Sequence, residues 1–462
     1  MFVHTQPSLP RTAPQASRRR ARMSLSACVT LAALAVLQLV TGAAGTAQTQ
    51  AARRYAYKLI DLGTFGGPQA GQGNGPYVNL GGRVAGTADT ATADPYAPND
   101  NPSFNGDPFV QHAFLWRGGT LIDLGALGAK PSDNSSYPNG ITARGDAAGV
   151  SDNGRLDALT GTIETRAVLW ENGRIVNLGT LGGHESQAFA LNNQDQIVGV
   201  AANAIPDPFS MPGWGTQARA FIWQHGRMRG LGTLGGPDSF AWFINGRRQV
   251  AGVSYTTATP NPVTGLPPTS VFLWQAGKMR NLGNLGGSVP TFGGVVALNG
   301  RGEIVGQSDL AGDTAAHPFL WNGTRMIDLG TLGGANGTAT AINATGTVAG
   351  VADLADETHR GFVWQNGTMR DLTPIGGAPC SNAFAINATG EVVGNATDCQ
   401  GQALTAVLWV HGVALDLNKL IAPSALHLTE PVAINDAGAI IGYGVLPDGH
   451  VHNFLLIPNS HQ

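Results

Sequence analysis

The chain has 462 residues, with 27 Lys and Arg against 30 Asp and Glu, a formal net charge of −3. Its 65 glycines are about twice the ordinary share, and its 12% charged residues about half of it. The charge balance argues against a nucleic-acid or anionic-membrane surface, which needs basic patches, and the glycine content against a fold of long helices.

Residues 1–47 read as an export signal. Arg18, Arg19, Arg20 and Arg22 form a basic head, residues 25–40 are mostly apolar, and Gly45-Thr46-Ala47 offers small residues for cleavage. The apolar run is shorter than the roughly twenty residues a spanning helix needs. Its removal takes five arginines and no acid, leaving 22 basic against 30 acidic residues, a net charge of −8. No later run reaches spanning length. The mature chain, after a short linker at 48–56, is therefore expected to stay out of the membrane and to be secreted or periplasmic.

A repeated phrase organises everything that follows. Trp116, Trp170, Trp223, Trp274, Trp321, Trp364 and Trp409 each close a short apolar run such as AFLW, AFIW or GFVW, and Leu456 takes the eighth place. Spacings of 43 to 54 residues match blade-sized repeats of four short strands. Strand A is of the AFAIN type (188–192, 339–343, 383–387, 432–435), and strand B of the VVG type (196–200, 303–307, 391–395, 439–443). Strand C carries the Trp, and strand D is of the DLG type (121–125, 326–330, 369–372). Apolar and β-branched runs bounded by Gly and Asn are strand signals.

The last unit stops after strand C, at Ile457-Pro458, while an orphan strand D, YKLIDLG at 57–63, opens the mature chain. An N-terminal strand that completes the C-terminal unit closes a ring and removes a sheet edge. The expected fold is all-β: a single closed β-propeller of eight four-stranded blades over residues 57–458, with a tail at 459–462. An open β-solenoid, which needs no complementary ends, is the alternative.

A–B turns (344–346, 388–390, 436–438) and C–D turns (Asn172-Gly173, Asn322-Gly323, Asn366-Gly367) are short, and Asn-Gly is a strong hairpin signal. The B–C connections (89–111, 152–165, 202–219, 254–270) are long. Because strand direction alternates, the short turns share one face and the B–C and D–A connections the other. Variable loops on a rigid scaffold make that second face the expected binding surface.

Cys380 and Cys399 remain once the signal is removed. A hairpin that sets Ala383 opposite Asn395 brings them face to face, so a disulfide is expected, worth about 3 kcal/mol and suited to an oxidising compartment.

Asp89, Asp152, Asp309 and Asp353 each follow the glycine of strand B by three residues. Carboxylates at one height suit a hard cation such as Ca²⁺; capping a turn at a strand end is the plainer role, and the one favoured. Trp214, in the loop MPGWGTQ, and Tyr96 are candidate aromatic platforms for a sugar or peptide, with loop packing the competing role for Trp214. The glycine inside strand B (Gly149, Gly199, Gly252, Gly394 and equivalents) marks close backbone approach, assigned to crowding between blades. GTLGG connections lack the Lys and Ser/Thr of a phosphate loop and read as turns. His112, His317 and His452 take related places in or just before strand C. No HExxH, CxxC or GxSxG pattern appears, so no catalytic residue, metal ligand or resident cofactor is assigned.

His112-Ala113-Phe114-Leu115-Trp116 followed by Leu121-Ile122-Asp123-Leu124-Gly125 resembles the HAF family of probable extracellular repeat proteins. DLGTLGG at 328–334 and AFAINATGEVVG at 383–394 are similar to further parts of its phrase, and the resemblance spans residues 57–457. It implies secretion and transfers no catalytic residue. The expected function is a secreted, monomeric, non-catalytic scaffold for an extracellular glycan, peptide or protein. A glycan-active enzyme with facing carboxylates and a structural envelope component are the alternatives.

Overall fold

The computed structural model describes residues 55–71, 76–97, 107–262, 264–287 and 294–459. The export segment, most of the linker and residues 460–462 lie outside the described residues.

The protein is an all-β propeller, with no α-helix among the described residues. Unit 2 shows the plan: Ser136–Ile141, Ala147–Leu156, Ile163–Glu171 and Arg174–Asn177 pair antiparallel in sequence order. Units 3 to 7 repeat it as separate four-stranded sheets. In unit 8, His427–Ile434, Ile440–Val445 and Val451–Pro458 receive their fourth strand from Tyr57–Asp61, with Tyr57 opposite Pro458 and Asp61 opposite Phe454. Gly66–Ala70 then pairs with Val84–Ala93 of unit 1 and meets Val451 through Gln69, so units 8 and 1 merge into one nine-stranded sheet.

The apolar core lies between neighbouring units. Six of the seven anchor tryptophans are at most 8% exposed and Leu456 is fully buried; Trp364 is half-buried. One cluster joins Leu169 and Leu178 of unit 2 to Ile197, Phe221 and Trp223 of unit 3. Another joins Ile441 and Leu455 of unit 8 to Val84, Phe114 and Trp116 of unit 1.

Strand A carries a β-bulge that the sequence did not reveal. Register slips between Ala188 and Ala190, between Ala241 and Phe243, and between Ala383 and Ala385. The bulge corrects two expectations. Asn395 faces Asn382 rather than Ala383, and Thr397 is the residue opposite Cys380. Cys399 reaches Cys380 by turning back at φ +69, and the two are joined as a disulfide with Cα atoms 5.2 Å apart. The strand B glycines are crowded from within their own sheet, not by a neighbouring blade. A Cβ on Gly199, Gly252 or Gly394 would collide with the carbonyl oxygen of Gln187, Phe240 or Asn382, the strand A residue lifted beside the bulge.

Strand A ends one residue earlier than expected because its Asn starts the turn. Asn245 Oδ1, for example, accepts the N–H of Arg247 and Gln249. The amide half then crosses to the next unit. Asn192 Nδ2 donates to the Asn245 carbonyl, Asn245 to Asn299, Asn299 to Asn343, Asn343 to Asn387 and Asn387 to Asn435, at 3.0–3.4 Å. Asn435 donates to Asn79 at 2.8 Å, and Asn79 to Thr142 at 2.9 Å. Thr142, in the Asn place of unit 2, has no amide to pass on.

Candidate functional site

On the B–C face, the structure places the predicted carboxylates where the backbone uses them. Asp89 and Asp152 are fully buried. Asp89 accepts the Gln69 N–H at 2.9 Å, Asp152 that of Ser135 at 3.2 Å and Asp353 that of Asn336 at 3.2 Å. Each pins the connection entering strand A of its own unit, so the four do not form a cation-binding ring. Among the described residues no group of three or more His, Cys, Asp or Glu could hold a metal ion. Asp309 is the exception: among the described residues its Oδ2 has no hydrogen-bond partner, and burial, with Asp313 adding to it, pushes its carboxyl up. The stretch 288–293, close to the entry to strand A of unit 5, lies outside the described residues.

Trp214 is 5% exposed and belongs to the apolar cluster of Phe240, Val253 and Val271. Its ring faces are covered by units 3 and 4, which corrects its reading as an open stacking platform. Tyr96 is half-buried in the B–C connection of unit 1, with its N–H donated to Asp94 Oδ1 at 2.8 Å.

A second set of polar groups serves strand C. Strand D is short, so the first N–H groups of strand C face the following unit without a strand partner. Serines that open the next strand A cap them: Ala113 N–H to Ser136 at 3.0 Å, Ala167 to Ser186 at 2.9 Å, Ala220 to Ser239 at 3.0 Å and Gly361 to Ser381 at 3.1 Å. The residue before the serine caps the N–H two earlier. Glu185 Oε2 accepts the Thr165 N–H at 2.7 Å and Asp238 Oδ1 that of Ala218 at 2.8 Å. Sequence reading missed these acids, although each stands directly before a strand A serine. Burial pushes Glu185 up to about 7, against the hydrogen bonds from Thr165. Asp238 is pushed up by burial, and neighbouring Asp207 adds to the shift. Asp89 rises to about 6 through burial and Asp107.

The related histidines hold strand D. Nδ1 lies 2.9 Å from Asp123 for His112, 2.9 Å from Asp328 for His317 and 2.8 Å from Asp61 for His452. The same aspartates accept the N–H of Gly125, Gly330 and Gly63 two residues on, which ends strand D at the aspartate rather than at the glycine.

Two features of the B–C face are left over for ligands. A cleft of about 500 Å³ between units 4 and 5 is lined by Ser270, Asn281, Asn284, Gln307 and Asp309. Leu156, Leu159, Ile205, Leu266 and Leu404, five of the seven exposed large apolar side chains among the described residues, stand at B–C ends of strands or in B–C loops, at 40–65% exposure. On the opposite turn face, Arg247 and Arg248 join two arginines of unit 3 around a pocket. Sequence reading missed it, although Arg248 stands where most A–B turns carry glycine.

No family model and no curated protein matches the sequence. Among solved structures, the chain is similar to a puromycin-hydrolyzing peptidase of Mycobacterium tuberculosis (14% identity, TM-score 0.40, covering 74% of this chain and 52% of that one). It is also similar to dipeptidyl peptidase 4 of Porphyromonas gingivalis (11% identity, TM-score 0.47, 86% and 57%). A third similarity is to the β-propeller domain of the Trilobed protease from Pyrococcus furiosus (9% identity, TM-score 0.36, 77% and 93%). The chain thus spans little more than half the length of either of these peptidases.

Proposed function

We propose that the protein is a secreted propeller of the HAF repeat type, a ring of eight units closed by Tyr57–Asp61, that binds partners non-catalytically through its B–C face. The observation that carries the reading is the gathering of five exposed apolar side chains at that face. Exposed apolar groups gathered on one face mark interaction surfaces, and two of them, Leu156 and Ile205, stand on ten-residue strands, Ala147–Leu156 and Ile197–Pro206, that run on past their pairing with strand A. Apolar character favours a protein or peptide partner over a sugar. The Asp, Glu and His side chains at the recurring positions are mostly committed to capping backbone or to pairing with one another, which supports a scaffold rather than a catalyst. A disulfide fits an extracellular or periplasmic setting, and among the described residues no helix is long and apolar enough to cross a membrane.

The test is binding of the protein to peptide and glycan arrays, wild type against a variant with Leu156→Ser, Leu159→Ser, Ile205→Ser and Leu266→Ser. Peptide binding by the wild type that the variant loses supports the reading. Peptide binding that the variant keeps, or glycan binding abolished by Asn284→Ala, would move the site to the cleft or elsewhere. Turnover of any array component would remove the non-catalytic part of the reading.

A further inference from the structure

A pocket of about 670 Å³ opens on the A–B turn face between units 3 and 4, opposite the long loops. Arg227 and Arg229 come to it from strand Arg227–Gly230, and Arg247 and Arg248 from the A–B turn of unit 4. Four guanidinium groups thus border one concavity in a chain whose net charge is −3. The arginine ion pairs among the described residues are made by Arg144, Arg166, Arg301 and Arg360 instead.

Three of the four are held in place without being neutralised. The Arg229 guanidinium lies over the Trp274 ring, 5.7 Å from its centroid. Arg248 Nη2 donates to Gln224 Oε1 at 3.0 Å, and Arg247 Nη1 donates to the Arg301 carbonyl at 3.4 Å. These contacts leave most of the N–H donors of Arg229 and Arg247 unspent, whereas Arg248 also turns Nε and Nη2 toward the side-chain amide oxygen of Gln196.

The backbone provides a second, independent observation. The fourth residue of the A–B turn is left-handed, and six turns fill it with Gly82, Gly145, Gly302, Gly346, Gly390 and Gly438 at φ +70 to +99. Unit 3 places Asp195 there at φ +59 and unit 4 places Arg248 at φ +62. Asp195 is accounted for by its ion pair with Arg144 of unit 2. Arg248 has no carboxylate partner among the described residues; its hydrogen bond to Gln224 braces the guanidinium but leaves its charge uncompensated. Strain held at one repeat and avoided at its equivalents is characteristic of a functional position.

We propose that this pocket binds a ligand bearing several oxyanions, phosphate or carboxylate, gripped by the guanidinium forks. Such a ligand would relieve the mutual repulsion of the four cations. The volume is in the range of small-molecule sites. The proposal does not depend on the reading of the B–C face.

Isothermal titration calorimetry of the full mature chain with inorganic tripolyphosphate and with citrate, at matched ionic strength, tests it. Saturable binding of tripolyphosphate alone assigns phosphate, of citrate alone carboxylate, and of both a general polyanion site. Arg248→Gly is expected to weaken binding at least tenfold while keeping or raising Tm, because glycine is what six equivalent turns use. Arg229→Gln should also weaken it, and Arg117→Gln, outside the pocket, should not. Absence of binding by both probes, or affinity unchanged in Arg248→Gly, overturns the proposal.

Discussion

Asn435 donates its side-chain amide to the main-chain oxygen of Asn79 across 356 residues of sequence, at 2.8 Å. The same asparagine accepts the N–H groups of Ala437 and Ala439. Asn435→Ala removes all three bonds and leaves two N–H groups of the turn without their acceptor. We expect a loss of about 2–3 kcal/mol in urea unfolding. Thr142 is the one station of the eight without an amide, though its hydroxyl already accepts the Asp146 N–H at 3.1 Å. Thr142→Asn should therefore add the missing link to unit 3 and stabilise by about 1 kcal/mol. A Thr142→Asn chain no more stable than wild type would show that the side-chain belt is a consequence of the fold and not a support of it.

The buried acids set the pH dependence. Glu185, raised by burial to about 7, and Asp89, raised to about 6, take up protons on folding. The stability such groups contribute is full below the unfolded carboxyl range of about 4 and falls as pH rises through 6 to 7. Asp123 acts in the other sense. Burial opposes its ionisation, but the hydrogen bond and charge of His112 and the Gly125 N–H outweigh burial and hold it low. Its contribution is present above the unfolded range and is lost as pH falls through its lowered value. Tm should thus peak near pH 5 and be lower at pH 8. Glu185→Gln keeps an acceptor for Thr165 and removes the charge. It should stabilise at pH 8, do little at pH 5 and flatten the profile; a profile parallel to wild type would place the dependence in other groups.

Reduction of the Cys380–Cys399 bond, which closes a loop with a sequence separation of 19, should cost about 3 kcal/mol and lower Tm in calorimetry with reductant. Cys380 Sγ also accepts the His359 N–H at 3.4 Å. A paired Cys380→Ser, Cys399→Ser variant can keep that acceptor, so its loss isolates the effect of chain closure. Equal melting with and without reductant would remove the disulfide as support for an oxidising compartment.

The unit plan was legible because a bulky residue, the strand C tryptophan, recurs at nearly fixed spacing, and because the orphan strand 57–63 has a vacancy to fill in unit 8. What the sequence concealed follows from the backbone. The strand A bulge shifts pairing by one residue and leaves no compositional mark, so Asn395 was set against the wrong partner. Asp89 and Asp152 look alike whether they bind a cation or cap an N–H, and only their burial and short contacts to Gln69 and Ser135 decide it. Trp214 sits in a Gly/Pro loop that reads as exposed until Phe240 and Val253 are seen against it. The arginine pocket draws on residues from two units, and no motif spans them; its one local sign is Arg248 in a glycine place.

Pro318 and Gly337 test whether the cap between units is a designed pair. Units 1, 2, 3 and 6 set a strand C N–H against a serine of the next strand A. Unit 5 has Pro318 in the donor place, with no N–H to cap, and Gly337 in the serine place, where an added Cβ would lie 3.0 Å from Pro318 Cδ. Pro318→Ala alone creates an N–H without an acceptor and should cost about 1–2 kcal/mol. Gly337→Ser alone presses on the proline ring and should cost about 1–3 kcal/mol. Together they remove the ring and supply the hydroxyl, so the double variant should be more stable than the sum of the two by about 1–2 kcal/mol in a double-mutant cycle. The nearby Ala352 Cβ and Val351 carbonyl, both 3.1 Å from the added atom, keep the recovery from being complete. Additive losses would mean that proline and glycine meet there by chance, and that the serine caps of the other units stabilise each boundary independently of the residue they face.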